Sequence, residues 1–446
     1  MMYRNFLPVT IAMVMVAGLL GDPLAQLQGG SGHAAVSDLA SQAREAQADA
    51  IPQWHWEPTV QMPIGRATGH MTLLSDGSSM LVGGKLVETG QIPERIGGYS
   101  SHAVIYDPAS GQWRNAGQSI TGTRAYGCNC ILIALSNERA FFMEVSAPKD
   151  VDPSGAAFHL YDGTSNRWED LPGPAREQMP GYYYDLTAAS ALDDHTVVVA
   201  MDVHRSVAGS GYRTSTSVFS FNIDSKKWSQ VAPLAEPRCC GAMTRLADGR
   251  ILLTGGRTDE YLGLPFDEAP DPTASVAVVN FKSGNHYSKA SSMHNPRLFH
   301  SATTLSDGRV LVVGGTPWKP AELYDPLADE WTEIEATRHD AYTGSIAITP
   351  SGGAIVTGGW DNSQGMLWRH AEWLVPETGR WLKLDPPPAM DGISHAQMLT
   401  SDQILFVGWG RVNSAMLVRD GSVRPTPTSV ASGRAYLPLN ITHISR

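Results

Sequence analysis

Residues 297–331 read RLFHSATTLSDGRVLVVGG (297–315), TPWKP (316–320) and AELYDPLADEW (321–331), and this stretch decides the fold. SATTL has strand character, and Ser306-Asp307-Gly308 is a tight-turn signal. RVLVVGG is a β-branched strand stopped by two glycines, AELYD is a third strand, and PLADEW turns into a fourth. Four short antiparallel strands joined by turns make one blade of a β-propeller.

The rest of the chain repeats the pattern. The diglycine recurs as Gly83-Gly84, Gly255-Gly256, Gly314-Gly315 and Gly358-Gly359. A late aromatic recurs as Trp56, Trp113, Trp168, Trp228, Tyr287, Trp331 and Trp381. The gaps are 57, 55, 60, 59, 44 and 50 residues, so there are seven marks. Turns after the first strand fall at Asp76, Asn137, Asp194, Asp248, Asp307, Ser351 and Asp402, again seven. Blades two and three, about 124–168 and 178–228, lack the diglycine and are placed by spacing. A diglycine followed by an aromatic at this period resembles the kelch repeat, covering roughly residues 52–421. The expectation is an all-β, seven-bladed kelch-type propeller with four-stranded antiparallel blades.

Phase predicts how the ring closes. Trp56 precedes the first inner strand, and the last unit, LTSDQILFVGWG followed by AMLVRD, has no equivalent aromatic after it. The N-terminal strand near Trp56 is therefore expected to supply the outer strand of the last blade, leaving no open seam. The tail after Gly421 is the competing source of that strand.

Composition narrows the class. A net charge of −11 argues against nucleic acid as a partner, because phosphate binding needs a basic face. Arg4, an apolar run over Phe6–Leu20 and Ala25 make residues 1–25 read as a signal peptide, either cleaved or kept as an anchor. Residues 26–51 read as a linker and residues 52–446 as the propeller, in a periplasmic or secreted monomer. No later segment is apolar enough to span a bilayer. Four cysteines lie as Cys128, Cys130, Cys239 and Cys240 at the lead-ins of blades two and four. They read as local disulfides or buried thiols, and their spacing matches no paired zinc motif.

In such a blade, the lead-in to the first strand and the loop from second to third strand share one face. The other turns here are minimal, whereas second-to-third loops are long at 85–101 and 257–274. Binding groups are expected on that elaborated face. Arg66, Arg238 and Arg297 align ten residues before the turn, with Arg124 and Arg338 three residues earlier. Two readings stand: arginines that belong to the repeat, or a cationic ring for an anionic ligand such as an acidic sugar. His300, Tyr126 and Tyr342 lie on the same lead-ins, as do His70, His395 and Tyr184. The carboxylates Asp259, Glu260, Asp267, Glu268 and Asp271 read as a solvated loop, with no metal site expected.

Two enzyme resemblances bear on function. Arg297-Leu298-Phe299-His300 resembles the tyrosine–histidine ligand segment of the galactose oxidases, and Arg124-Ala125-Tyr126 resembles their cross-linked tyrosine segment. That resemblance implies copper, with Cys128 or Cys240 as sulfur partner, yet Phe299 stands where a ligand tyrosine belongs. The arginine rim is similar to that of the periplasmic sialic-acid mutarotases, which implies a sugar-acting enzyme. Apart from these, the expectation is a cofactor-free binding propeller for a glycan, small molecule or protein.

Overall fold

The computed structural model describes most of residues 54–419. Outside the described residues lie 1–53, 420–446 and internal stretches, the longer ones being 88–101, 118–129, 146–155, 176–182 and 258–271. The signal-peptide and linker expectations fall there, as does the competing tail strand.

Seven four-stranded antiparallel sheets are present, numbered here as blades 1 to 7. Their first strands are His70–Leu73, Cys130–Ala134, Tyr183–Ala191, Ala242–Arg245, Ser301–Thr304, Ser345–Ile348 and Met390–Thr400. Each first strand touches the first strand of the next blade, and Met390–Thr400 touches His70–Leu73, so the seven form a closed circle. Among the described residues there is no α-helix, and hence none long and apolar enough to cross a membrane.

Stacking blades around an axis explains the strand composition. Both faces of each sheet meet a neighbouring blade, so second strands read as unbroken apolar runs rather than alternating ones. Ile251–Thr254, Val310–Val313 and Ala354–Thr357 are buried at every position. Phe141, Met143 and Phe158 of blade 2 fill one seam with Val199, Met201 and Phe219 of blade 3. Met80, Val82 and Ile105 of blade 1 fill another with Leu132, Phe142 and Tyr161 of blade 2. Each such side chain contributes about 1.5–3 kcal/mol by leaving water.

The repeating tryptophan stitches the ring. In each case its indole Nε1 donates to a backbone carbonyl just past the fourth strand of the preceding blade. Trp113 reaches Val60 at 2.9 Å, Trp168 reaches Ala116 at 2.8 Å and Trp228 reaches Pro172 at 2.7 Å. Trp331 reaches Ser291 at 2.7 Å and Trp381 reaches Glu335 at 3.0 Å. Blade 4 carries Tyr287 at this mark, which has no indole to donate.

Trp56 completes the set by donating to the Asp385 carbonyl at 2.9 Å. It lies on Trp54–Pro58, which pairs beside Ser414–Arg419 as the fourth strand of blade 7. Next to it, Asn413 receives the Met62 amide at 2.9 Å, and the Gln61 side chain accepts the Asn413 amide at 2.6 Å.

Added structure gathers on one face. Gly65–Arg66, in the lead-in to blade 1, pairs with Leu86–Val87 in its second-to-third loop. Ala341–Tyr342, leading into blade 6, pairs with Trp360–Asp361, which pairs in turn with Met366–Leu367. In blade 3 the second and third strands, Thr196–Val207 and Gly211–Asn222, stay paired out to Val207 and Gly211. On the opposite face the turns are tight: the carboxylates of Asp76, Asp248 and Asp307 each accept the amide two residues on.

Candidate ligand site at the channel mouth

The first strands surround a cavity of about 390 Å³ on the propeller axis. Its wall includes His70, Ile131, Thr187, Met243, Ser301 and Ile346, one from each of six blades, with Thr303 a second from blade 5. Every lining residue precedes its own blade's turn by four to seven positions, so the cavity occupies the half of the channel toward the elaborated face. Among the described residues the wall carries small apolar groups, hydroxyls and one imidazole, and no acidic or basic side chain other than His70.

His70 and His395 approach each other at this level, with ring centroids 6.2 Å apart. Burial pulls His70 down to about 4. Burial and then the charge of His70 pull His395 down to about 3. Both rings are therefore neutral at physiological pH, and the described part of the wall carries no formal charge.

Of the five candidate arginines, Arg238 and Arg297 are the two whose side chains are described, and both sit in the blades. Arg297 is fully buried and spends its donors locally. Its guanidinium donates to the Gly314 carbonyl at 2.9 Å, to the Pro320 carbonyl, and to Glu322 Oε1 at 3.2 Å. Glu322 is equally buried and also accepts the His294 amide at 2.7 Å and the Asn295 amide at 3.1 Å. Burial works against the Arg297 charge and Glu322 works for it.

Arg238 occupies the equivalent place in blade 4 and donates to the carbonyls of Gly255 at 3.3 Å and Ser275 at 2.7 Å. Its carboxylate, Glu236, is more distant at 3.9 Å and part-exposed. Both arginines thus tie the end of a second strand to the start of a third, holding the base of the loop between them, long in blade 4 and short in blade 5. Two residues after each arginine the backbone turns left-handed, at Cys240 (φ 65) and Phe299 (φ 52). The Phe299 amide then donates to the Cys240 carbonyl at 2.7 Å, linking one lead-in to the next.

The diglycine serves the same junction. A Cβ on Gly255 would stand 2.4 Å from the Arg297 carbonyl oxygen, and one on Gly315 would stand 2.4 Å from that of Leu298. Both glycines also have positive φ, 57° and 84°, so no other residue fits without displacing the lead-in.

His300 is buried, with Nε2 2.7 Å from Thr254 Oγ1 in blade 4. Burial, then the neighbouring Arg297 charge, pulls it down to about 3. Phe299 offers no ligand atom, and His300 sets Nε2 against Thr254 Oγ1 while its Nδ1 makes no hydrogen bond. Among the described residues no group of three or more His, Cys, Asp or Glu is placed to hold a metal.

Arg66 and Tyr342 are on the rim sheets at backbone level. Arg124, Tyr126, Arg338, Cys128, Cys239 and the carboxylates of 259–271 lie outside the described residues. Cys130 is buried at the start of the blade 2 inner strand, and Cys240 is half-buried. The hydroxyls of Thr187, Ser301 and Thr303 escaped sequence reading because Ser and Thr are ordinary strand residues. Only their inner-strand position distinguishes them.

No family model matches the chain. It is 27% identical over 175 residues to an F-box/kelch-repeat protein of Arabidopsis thaliana, covering 37% of this chain and 41% of that protein. It is 26% identical over 181 residues to alpha-scruin of Limulus polyphemus, covering 39% of this chain and 19% of that protein. The matched region thus spans about two-fifths of the plant relative and one-fifth of the scruin. A fungal alcohol oxidase of the AA5 family, solved with copper, has a TM-score of 0.54 at 13% identity, over 82% of this chain and 76% of that one. A Staphylococcus aureus virginiamycin B lyase has a TM-score of 0.51 at 9% identity, over 82% of this chain and 99% of that one. At these identities the solved structures speak to fold alone. The repeat shared with the curated relatives, and the seven sheets it builds, are those of a kelch-type β-propeller.

Proposed function

We propose that this chain is an exported binding propeller that takes an uncharged, hydroxyl-bearing ligand of about sugar size in its channel mouth. One observation carries the reading: the cavity lies under the elaborated face, and its described wall offers Thr187, Thr303, a Ser301 hydroxyl that donates to the Gly344 carbonyl, and a neutral His70, with no charged side chain among the described residues. A cavity this size falls within the usual range for small-molecule pockets. An anionic ligand would need a cation at the wall, and Arg238 and Arg297 direct their donors to carbonyls inside blades 4 and 5. Export is supported by the charged, apolar and small-residue pattern of residues 1–25.

The test uses matched sugar pairs, galactose with galacturonate and glucose with glucuronate, in thermal unfolding and titration calorimetry. A neutral member at a hundredfold its Kd should stabilise the protein by about 2.7 kcal/mol, with the acid member inert. Met243→Trp, which fills the channel, should remove the effect while leaving the fold intact. Stabilisation by the acid members alone, or by none of the four, overturns the assignment. Cell fractionation with mass analysis of the N-terminus tests export separately.

A further inference from the structure

Blade 2 carries two buried polar groups that the channel site does not use. Glu144, on the second strand Arg139–Val145, and His159, on the third strand Ala156–Asp162, are each 2% exposed. The ladder sets Cys130, Glu144 and Ala157 in one row and Leu132, Phe142, His159 and Asp170 in the next. Phe142 faces the seam with blade 1, and strand alternation places Glu144 and His159 on that same face. Across the seam stand Met80, Val82, Ala103 and Ile105, which offer no polar side-chain atom. Oε2 of Glu144 and Nε2 of His159 are both buried without a hydrogen-bond partner.

The two groups are chemically complementary. His159 Nδ1 lies 2.8 Å from Asp170 Oδ1, whose side chain is 70% exposed. An ionised Asp170 accepts from Nδ1–H, which fixes the tautomer and leaves Nε2 as an acceptor. Burial raises Glu144 to about 7, so near neutral pH it retains a proton to donate. Burial lowers His159 against the opposing pull of Asp170. Diagonal positions on one sheet face place such side chains within reach of one bridging water.

We propose that Glu144, His159 and Asp170 form a buried proton relay across blade 2, in which the Glu144 carboxyl donates to His159 Nε2 through one bound water. Transfer breaks the Glu144 O–H bond, forms an Nε2–H bond and leaves a carboxylate facing an imidazolium that Asp170 stabilises. The relay runs from solvent at the outer strand to the row of Cys130, beside the channel-lining Ile131. Other titratable groups around it are Cys130 in its own sheet and, on blade 1, His70 beside Val82, His102 before Ala103, and Arg114, which donates to Tyr161 at 3.4 Å.

The test follows the carboxyl C=O stretch by infrared spectroscopy and the His159 ring nitrogens by ¹⁵N NMR, in the same protein from pH 5 to 9. One protonated carboxyl band should titrate near 7, and the His159 signals should change with the same midpoint. Glu144→Gln should abolish the band and move the His159 midpoint by roughly half a pH unit or more. Two independent midpoints in the parent protein overturn the relay. So does a carboxyl titrating near the free value of about 4.3, or a His159 midpoint unmoved in a folded Glu144→Gln. The parent measurements decide the matter even where a variant fails to fold.

Discussion

Replacing Arg297 with methionine separates an arginine that builds the blade from one that binds ligand. Arg297 and Glu322 are both 0% exposed and 3.2 Å apart, and the guanidinium also satisfies the carbonyls of Gly314 and Pro320. Removing it leaves a buried carboxylate held only by His294 and Asn295, together with two unsatisfied carbonyls. Breaking a buried pair from one side costs about 3–5 kcal/mol. At roughly 2 °C per kcal/mol for a large domain, Tm should fall by about 6–10 °C. Arg297→Met with Glu322→Leu removes the stranded charge and should recover most of the loss. Arg238→Met should cost less, about 1.5–3 kcal/mol, because its partner Glu236 is 3.9 Å away and 37% exposed. The assay is urea and thermal unfolding of the four proteins, with the channel ligand titrated below the lowest Tm. An Arg297→Met protein as stable as its parent, yet unable to bind, would refute the reasoning, as would equal costs at the two arginines.

Trp56→Phe removes the indole bond to the Asp385 carbonyl but keeps ring packing on Phe406 at 4.9 Å. It should cost about 0.5–1.5 kcal/mol, matching Trp331→Phe; a cost only at Trp331 would mean that the N-terminal strand does not close the ring. Gly315→Ala forces a Cβ to 2.4 Å from the Leu298 oxygen at a φ of +84°, so a loss of about 1–3 kcal/mol or more is expected in urea unfolding. His300 is held down to about 3, so the folded chain refuses a proton that the unfolded chain takes near 6.5. Stability should therefore fall as pH drops below about 6.5, by up to about 1.4 kcal/mol per unit from this histidine. The slope of urea midpoints between pH 4.5 and 6.5 should be shallower in His300→Gln.

The architecture was legible because its marks are forced by contacts. The diglycine is where a second strand meets a lead-in, and the tryptophan is where a fourth strand meets the preceding blade. Blades 2 and 3 lack the diglycine, yet Trp168 and Trp228 keep the same carbonyl bonds, so spacing sufficed. The rim sheets were not legible, since two-residue strands such as Gly65–Arg66 exist only through the loop they meet. Nor was the length of the blade 3 hairpin, although its run of β-branched residues from Thr196 carried the signal. The arginines were found by alignment alone, and alignment does not distinguish a guanidinium facing the axis from one facing its own blade. That distinction lies in the carbonyls of Gly255, Ser275, Gly314 and Pro320, which no sequence pattern marks.

Repeat position and function part company here for a physical reason. A residue recurring at every blade meets the same backbone environment at each, and the fold uses it there: tryptophan for the carbonyl behind it, arginine for the loop base beside it. The channel wall is made by first-strand residues that differ from blade to blade. The proposed contact residues Thr187, Ser301, Thr303 and His70 share a level in the channel but no motif. Glu144 and His159 likewise belong to blade 2 alone. In blade 5 the third-strand glutamate Glu322 is neutralised by Arg297, whereas Glu144 on the second strand of blade 2 faces apolar side chains of blade 1. Departures from the repeat, rather than its most regular marks, are where this propeller holds chemistry that its architecture does not consume.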